Sequence, residues 1–570
     1  MSGLLLIASI IVFVLIAYTT YGAFISRKLG IDPSRKTPAH TKSDNIDYVP
    51  TNRYIVLGHH FASIAGAGPI VGPILAAAFG WLPVYLWILV GGIFMGAVHD
   101  FASTIASLRH EGKSIGEIIR MYIGERGKKY FLVFSFATML LVVAVFTNIV
   151  ATTFVEVPSA ATASVFFIGL AIVFGVAIRR SGMSLMSLTV VGVILLFLGI
   201  WFGENNPLIL SSDTNTAVNL WRVILLVYIF FSAVAPVWLL LQPRDYLNSF
   251  MLYAVMLGGL IGILMLNPTV NLEAFRGFRV EMGAEGALVW LFPILFVTVA
   301  CGAISGFHSL VASGTTAKQI DNEKDVKFIA YGGMLVEVVL AGVAIIAVAT
   351  LAATQFTEFY SAGQYVTAFA TGVGAFIAAI PLLNIPAEAG TTFAALAVSA
   401  FALTSLDTCC RLARYLFQEF FEGSEQPAMR VLSSNRYIGT AFAVVCGAAL
   451  VFSGSAGALW PMFGSANQLL AALALLATSV WLAKRGTDNW FVRYPMIFMF
   501  AVTLSALVNL GYNNYIVGNY ILTGIAGILF ILAITLAAQA AQSLSAFRKD
   551  RQGRSEKVME ETIEIEEESK

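Results

Sequence analysis

Apolar stretches of about 20 residues follow one another along most of the chain, and a helix of that length spans the hydrocarbon core of a bilayer. Within a bilayer the backbone polar groups must be paired inside each segment, which favours helices over irregular structure. We therefore predict an all-α polytopic membrane protein with about 15 transmembrane helices. The predicted spans are 3–25, 54–80, 81–108, 130–154, 159–178, 183–203, 218–241, 247–266, 287–312, 328–354, 391–415, 436–456, 459–483, 491–511 and 518–540.

The composition supports this class and excludes several functions. Charged residues make up only 12% of the 570 positions, whereas soluble domains contain about a quarter. The net charge of +1 provides no basic surface for nucleic acid, so we expect membrane lipid and a small molecule as partners, and no feature specifies an oligomer. The cysteines lack metal-site or disulfide spacing, and we expect them to be buried. They are Cys301, Cys409, Cys410 and Cys446.

Lys and Arg concentrate in alternate connections between the spans, and such residues are retained on the cytoplasmic side. They lie at 27–42, 109–129, 179–180, 244, 318–327, 411–436, 484–485 and in the C-terminal tail. The connections 204–217 and 355–363 contain none, whereas 267–286 is an exception with two. No basic residue precedes the span 3–25, so we expect a retained helix rather than a cleaved leader. This pattern predicts an N-terminus outside and a C-terminus in the cytoplasm.

Residues 364–390 are apolar enough to resemble another span. A crossing there would move Arg411 and Arg414 to the outer side, against the charge pattern. Pro381, Pro386 and several glycines instead favour a bent hairpin that enters the membrane and returns to the outer side.

The second and ninth spans contain small and polar residues, which predicts that both helices are interrupted. The second reads GHHFASIAGAGPIVGP at 58–73, and the ninth reads CGAISGFHSLVASGTT at 301–316. In transporters, interrupted helices expose half-helix ends, with the positive N-termini directed at anionic substrates. The alternative is that these glycines only allow close helix packing, which is our interpretation of Gly92 and Gly96 in the third span.

By the predicted sidedness, the two interrupted spans cross the membrane in opposite directions, as an inverted repeat requires. Five-helix units at about 54–203 and 287–483 would then be the repeats, with the hairpin inside the second. This arrangement resembles the LeuT-type transporter fold, whose second repeat carries an external hairpin at that place. The remaining parts of the transmembrane domain 1–542 are peripheral helices at 3–25, 218–266 and 491–540. Residues 543–570 are basic and then acidic, and we expect a disordered cytoplasmic tail.

Several ionisable side chains lie inside predicted spans, where they are costly and indicate function. The carboxylates are Asp100, Asp407 and Glu337, and the hydroxyl residues on the same helix faces are Ser103, Thr104, Thr404 and Thr408. A carboxylate beside hydroxyls suits a proton or cation site. For Asp100 and Asp407 the alternative is a structural ion pair, with Arg109 and Arg411 respectively.

Four of the six histidines also lie in apolar spans: His59, His60, His99 and His308. Three roles are open: contact with a proton or substrate, metal binding, and hydrogen bonding to interrupted backbone. His59 and His60 are adjacent and point about 100° apart on a helix, so both face one ion only if the helix unwinds. We expect no cofactor beyond the coupling proton, with a metal held by these histidines as the alternative.

Two further polar segments lie near predicted span ends. We interpret Arg244 and Asp245, within QPRDYLN at 242–248, as a charged turn, with gating of an inner vestibule as the alternative. Asn467 and Gln468 are expected at a helix contact rather than against substrate. No HExxH, GxSxG or Walker-type motif is present, so we expect neither a membrane protease nor an ATP-driven pump.

Five segments resemble the carbon starvation protein A (CstA) family. They are GHHFASIAGAGPIVGPILA (58–76), FMGAVHDFAS (94–103), LLLQPRDYLNSFMLY (239–253), FPILFVTVACGAISGFHSLVASGTTAKQ (292–319) and WPMFGSANQLLAALAL (460–475). The similarity extends over about residues 1–485, with one departure at Thr408-Cys409-Cys410, where a Gly/Thr-like pair is typical. The resemblance implies a bacterial or archaeal cytoplasmic-membrane transporter that imports pyruvate with protons, or small peptides, under nutrient limitation.

Residues and resemblance together predict a secondary active transporter, not an enzyme, that takes up pyruvate or a similar small carboxylate with protons during carbon starvation. The alternatives are a small-peptide importer, sodium in place of protons, and a metal-binding membrane sensor on a transporter scaffold. We assign substrate contact to His59, Ser63, Gly66, Gly68, Ser305, Gly306 and His308. We assign coupling to Asp100, Asp407, Thr404, Thr408 and Glu337.

Overall fold

Long apolar segments form helices in the computed structural model, where the backbone of each segment pairs with itself. The structure describes residues 1–44, 48–180, 182–236, 239–283, 286–382, 384–423, 425–453 and 456–568. The helices are α1 (Gly3–Thr19), α2 (Tyr21–Leu29), α3 (Pro38–Thr41), α4 (Arg53–Ile64), α5 (Gly68–Ala76), α6 (Trp81–Gly91), α7 (Ala97–Arg109), α8 (Ile115–Tyr122), α9 (Glu125–Glu156), α10 (Pro158–Arg180), α11 (Leu185–Asn205), α12 (Thr214–Val234), α13 (Leu241–Leu266), α14 (Leu291–Val299), α15 (Gly306–Gly314), α16 (Gly332–Ala349), α17 (Ala353–Ser361), α18 (Tyr365–Ala378), α19 (Ala387–Phe420), α20 (Pro427–Ser434), α21 (Arg436–Ser453), α22 (Ala456–Lys484), α23 (Trp490–Ile516) and α24 (Tyr520–Glu568).

Short 3₁₀ or π-helical turns and one antiparallel hairpin complete the described elements. The turns are Ala77–Phe79, Gly92–Gly96, Ala300–Gly302, Thr316–Lys318, Glu323–Asp325 and Lys327–Tyr331. The hairpin pairs β1 (Arg279–Met282) with β2 (Ala287–Trp290), with Arg279 opposite Trp290. The ninth span therefore begins at Leu291 rather than at 287 as predicted, because residues 287–290 bond to β1 and not to a following helical turn.

Fourteen helical segments of the described chain are long and apolar enough to cross a membrane, and the bent pair α4–α5 brings the number up to 15. The prediction of an all-helical polytopic membrane protein is confirmed. Residues 242–248 were expected to link two spans, but they lie in the first turns of α13. The side chains of Arg244, Asp245 and Asn248 are buried, so the helix begins earlier than its hydrophobicity suggests.

The connections rich in Lys and Arg contact one another. The Arg109 guanidinium donates to Glu323, with Nε 2.5 Å from Oε1. Connections of the other set also meet, since the Gly3 amide donates to the Pro268 carbonyl over 2.7 Å. The contacts therefore agree with the predicted alternation of connections, and the assignment of one set to the cytoplasm stays a prediction.

Both predicted helix interruptions are present. The α4 helix ends at Ile64 and α5 begins at Gly68 with a bend of 43°, while residues 300–305 separate α14 from α15. The amide of Thr51, just before α4, donates to Gln319, just after α15. The amide of Arg276 donates to Phe79 beyond α5. The two interrupted segments therefore run antiparallel to each other.

Several glycines in and beside these segments lie where a side chain has no room. A Cβ on Gly72 would overlap the Val299 carbonyl, and one on Gly306 would overlap the backbone of Asn467. The glycines therefore allow close helix packing, and the helices are interrupted at the same places. Gly92 and Gly96 pack against Val338 and Ala303 as predicted.

The segment 364–390 contains α18, a turn and the start of α19. A helix of 14 residues is about 21 Å long, too short for a hydrocarbon core of about 30 Å. Gly390 of α19 lies against Gly374 of α18, so the chain reverses direction here. Its depth in the membrane stays a prediction, as does the disorder of 543–570. From residue 548 onward only the backbone of α24 is described.

Candidate transport site

The residues His60, His99, Asp100, His308 and Glu337 form a fully buried group, here called the histidine–carboxylate cluster. The two carboxylate oxygens of Asp100 lie 2.8 Å from His99 Nδ1 and 2.9 Å from His308 Nδ1. His308 Nε2 lies 3.4 Å from Glu337 Oε2. These side chains belong to α4, α7, α15 and α16, so the cluster joins both interrupted segments to their neighbours. A chain of titratable groups thus runs through the interior.

The surroundings of Asp100 differ from the prediction in two ways. Arg109 pairs with Glu323 and not with Asp100, because it lies two turns further along α7, at the helix end. The hydroxyl of Thr104 donates to the Asp100 backbone carbonyl, and Ser103 Oγ has no partner. Imidazoles rather than hydroxyls therefore surround this carboxylate.

The cluster holds polar atoms without hydrogen-bond partners. They are His60 Nε2, His99 Nε2, His308 Nε2 and both carboxylate oxygens of Glu337, of which Oε2 faces His308 Nε2 only as an ion pair. The other ring nitrogen of His60 lies 2.9 Å from Thr316 Oγ1. Unpaired buried polar atoms are costly, so this cluster has capacity for additional protons or water.

A second group, here called the arginine–carboxylate cluster, comprises the buried Arg244, Asp245 and Asp407 and the half-buried Tyr228. Arg244 Nη1 forms an ion pair with Asp407 Oδ2, and the Tyr228 hydroxyl donates to the same oxygen over 2.9 Å. Asp245 Oδ1 lies 3.6 Å from Arg244 Nη2. Next to this group, Asn248 Nδ2 donates to Thr404 Oγ1 over 3.1 Å.

This group corrects two predictions. The sequence offers Arg411 as an alternative ion-pair partner of Asp407, but the Arg411 guanidinium donates to the carbonyls of Ser232 and Ala235, each over 2.8 Å. Arg244 and Asp245 are not a charged surface turn, since they are only 2% and 3% exposed. The preference of a guanidinium for carboxylate and carbonyl oxygens explains both arrangements.

The sequence analysis therefore missed Tyr228 as a member of this cluster, and it considered Arg244 only as part of a turn or, alternatively, of an inner gate. The adjacent Arg244–Asp245 pair next to a long apolar stretch was an available signal for Arg244. Nothing in the apolar segment around Tyr228 distinguishes this residue from a lipid-facing tyrosine.

A small central cavity lies where the two interrupted helices meet. Its lining residues are Ile64, Gly66, Gly68, Val142, Phe146, Cys301, Phe307, Ser405, Cys409 and Phe463. Its volume of about 10 Å³ is the room of about one water molecule. Gly66 and Gly68, which are predicted to contact substrate, border this cavity, and entry of any organic substrate requires the helices around it to move.

The start of α15 is bound by a side chain of α22. Asn467 Oδ1 accepts from the Phe307 amide over 2.9 Å, and its amide nitrogen lies 3.0 Å from Ser305 Oγ. Gln468 donates to the Phe296 carbonyl over 2.8 Å. The expected helix contact at Asn467 and Gln468 is confirmed, and it occupies the half-helix end at Ser305 and Gly306.

The other predicted residues lie apart from the two clusters. His59 is half-buried, and Ser63 donates to its backbone carbonyl. Thr408 is half-buried on α19. In the described residues the cysteines are free thiols and no group of three or more His, Cys, Asp or Glu side chains is arranged to hold a metal ion.

Interrupted helices around a small cavity, with titratable side chains buried beside them, define a polytopic membrane transporter. Comparison with known proteins specifies the family. The family described as carbon starvation protein CstA matches residues 1–368 and 359–506. The chain therefore belongs to the CstA family and is a transporter rather than an enzyme.

Curated relatives cover most of the chain. The "Peptide transporter CstA" of Bacillus subtilis (strain 168) is 32% identical over 94% of this chain and 96% of its own length. The "Peptide transporter CstA" of Escherichia coli (strain K12) is 34% identical over 88% of this chain and 80% of its own length. The "Pyruvate/proton symporter BtsT" of the same strain is 33% identical over 88% of this chain and 81% of its own length.

Proposed function

We propose that this transporter takes up pyruvate or a similar small carboxylate together with protons, by alternating access. The observation that carries the proposal is the histidine–carboxylate cluster, in which every member is an imidazole or a carboxylate. The relative named as a pyruvate/proton symporter supports the same assignment.

The coupling proton binds within this cluster in our proposal. Asp100, His308 and Glu337 belong to three different helices, and no Lys or Arg forms an ion pair with them in the described part of the chain. Adding a proton changes the charge between these helices, and buried charges interact over several ångströms in a medium of low dielectric. Protonation therefore alters how firmly the helices are held together.

The substrate carboxylate is proposed to bind at the central cavity, beside the N-terminus of α5. The positive end of a helix dipole attracts an anion, and Gly66 and Gly68 let the ligand approach the backbone closely. Ser405 Oγ, which has no hydrogen-bond partner, borders the same cavity and is a further donor. Because the cavity has room for only about one water molecule, we interpret this conformation as occluded.

Movement is proposed to follow a LeuT-type inverted repeat, with units at about 54–203 and 287–483. The antiparallel course of α4–α5 and α14–α15 supports this assignment, since an inverted repeat requires its equivalent helices to run in opposite directions. We assign α18 and the turn after it to the outer hairpin of the second unit. The outer N-terminus and the cytoplasmic location of the tail belong to the same proposal.

Import of small peptides is the second candidate, and the names of several relatives favour it. The deciding experiment is uptake of labelled pyruvate into proteoliposomes under an inward proton gradient, with dialanine as competitor. Accumulation that a protonophore collapses and dialanine leaves unchanged would support proton–pyruvate symport. Uptake of labelled dialanine without pyruvate uptake would support the peptide importer, and uptake of neither would contradict both.

A further inference from the structure

A larger cavity, here called the outer cavity, lies next to the central cavity and has a volume of about 280 Å³. Its lining residues are Val71, Leu75, Val145, Asn148, Ile149, Thr152, Thr153, Glu156, Ala362, Gly363, Tyr365, Val366 and Trp460. Three aromatic side chains separate the two cavities. Phe463 contacts Phe146 and Trp460, with ring centroids 5.8 and 5.4 Å apart.

One face of α9 supplies the polar wall of the outer cavity. Asn148, Thr152 and Glu156 follow one another at intervals of four residues, which places them in a row along the helix. Asn148 is only 3% exposed, and neither its amide nitrogen nor its amide oxygen has a hydrogen-bond partner. A buried amide with all of its capacity unused is costly, and this one borders a cavity large enough for a ligand.

Glu156 adds a carboxylate to the same wall. Its Oε2 accepts from the Thr367 hydroxyl over 2.5 Å. In the part of the chain that the structure describes, no Lys, Arg or His side chain forms an ion pair with it. The carboxylate therefore faces the cavity without a cationic partner from the protein.

We propose that the outer cavity binds the ammonium group of a small organic amine, either an amino acid or the N-terminal end of a short peptide. Glu156 is the counterion of the ammonium group, and Asn148 pairs with the amide or carboxylate of the ligand. The Cα positions of the two residues are about 12 Å apart along the helix, and because helical side chains share one lean, their polar groups keep roughly that separation. Both groups thus reach one ligand of dipeptide size.

The walls of the cavity discriminate against an inorganic cation. Calcium and similar ions need about six or more oxygen ligands at close range, whereas much of this wall is aliphatic or aromatic. Apolar walls with a few polar groups are typical of sites for organic ligands. Trp460 and Tyr365 also provide the aromatic surface that organic ammonium groups favour.

This inference does not depend on proton–carboxylate symport, and a peptide bound here would be a ligand of the second candidate function. The side chains of Phe146, Trp460 and Phe463 lie between the outer cavity and the central cavity. An amine bound in the outer cavity therefore leaves the proposed carboxylate site free. A failure of pyruvate transport would leave the amine site intact, and a failure of amine binding would leave the coupling proposal intact.

The test is equilibrium binding of labelled dialanine, and separately of labelled alanine, to the purified full chain in lipid nanodiscs. Glu156→Gln keeps the hydrogen bond with Thr367 but removes the charge, and we expect at least about tenfold weaker binding. Asn148→Ala should weaken dialanine binding as well. Glu358→Gln, which removes an exposed carboxylate on nearby α17, is the matched control and should bind as wild type.

A competition arm defines the chemistry of the ligand. Acetylation removes the ammonium group, so N-acetyl-dialanine should not displace dialanine. Binding of both alanine and dialanine would define an amino-acid site, and binding of dialanine alone a peptide site; either outcome supports the proposal. Wild-type affinity in Glu156→Gln, displacement by the acetylated peptide, or no binding of either ligand would overturn it.

Discussion

The two buried clusters are alike in burial and differ in the charges they contain. In the arginine–carboxylate cluster, Arg244 carries a charge that is fixed at any physiological pH. In the histidine–carboxylate cluster every ionisable member gains or loses a proton in aqueous chemistry. The first is suited to holding one arrangement together, and the second is suited to exchanging protons.

The two clusters also connect different kinds of helices. The histidine–carboxylate cluster joins α4 and α7 of the first proposed repeat to α15 and α16 of the second. The arginine–carboxylate cluster joins α19 of the second repeat to α12 and α13, which lie outside both. A group between two moving units is placed to couple a proton to their movement, whereas a group between a repeat and a peripheral helix anchors that repeat.

The largest expected effect concerns the anchor. Arg244→Gln or Asp407→Asn alone leaves a buried charged partner unpaired, which typically costs about 3–5 kcal/mol. The double variant removes both charges and should recover much of this loss. Thermal unfolding of the purified variants, arranged as a double-mutant cycle, measures the coupling between the two residues.

Substrate uptake by the double variant shows whether Asp407 anchors its helices or takes part in proton coupling. If Asp407 is an anchor, the Arg244→Gln, Asp407→Asn protein should regain uptake together with stability. A stable double variant that does not accumulate substrate would return Asp407 to the coupling mechanism, where the sequence interpretation had placed it with Thr404 and Thr408.

Asp100→Asn should reduce gradient-driven accumulation by about 100-fold, the scale of an essential proton-transfer group. Exchange of labelled for unlabelled substrate across the membrane without a gradient should persist, because exchange needs movement but no net proton transfer. Ser103→Ala, on the same helix and without a hydrogen-bond partner, is the control and should accumulate substrate normally. Normal accumulation by Asp100→Asn would remove this residue from coupling.

Substitution of His308 should reduce uptake less than substitution of Asp100, and His59 is its matched control. His308 contacts Asp100 and Glu337, whereas His59 lies outside the cluster. We expect His308→Gln to slow uptake by about tenfold and to flatten its pH dependence, because imidazole is the side chain that titrates nearest neutral pH. His59→Gln should stay within about threefold of wild type with an unchanged pH profile. Equal effects in both variants would mean that burial of an imidazole, rather than the cluster, sets the rate.

The comparison also explains which parts were predictable. Spans, helix breaks and buried acids follow from local sequence, because hydrophobicity, glycine content and charge act over about one helix. Asp100 contacts its neighbour His99, but its second partner, His308, lies 208 positions away in the chain, and Arg244, the partner of Asp407, lies 163 positions away. Local spacing suggested Arg109 and Arg411 instead, since it registers only neighbours on the same helix. The packing of distant helices against one another is a tertiary property, and it determines the ion-pair partners of both carboxylates.

The last expected effect is on stability alone and concerns the contact between Gly66 and Ser405, which lies between the two clusters. Gly66 follows the helix that carries His60, and Ser405 lies two residues before Asp407, on a different face of α19. A Cβ on Gly66 would overlap Ser405 Oγ, so Gly66→Ala should cost about 1–3 kcal/mol through overpacking. Ser405→Ala alone should be nearly neutral, and the double variant should recover part of the loss, because only the hydroxyl contact is relieved. Thermal unfolding of the three variants tests this. A cost for Gly66→Ala that Ser405→Ala does not relieve would mean that the backbone conformation at the break, and not the contact between α4 and α19, requires glycine.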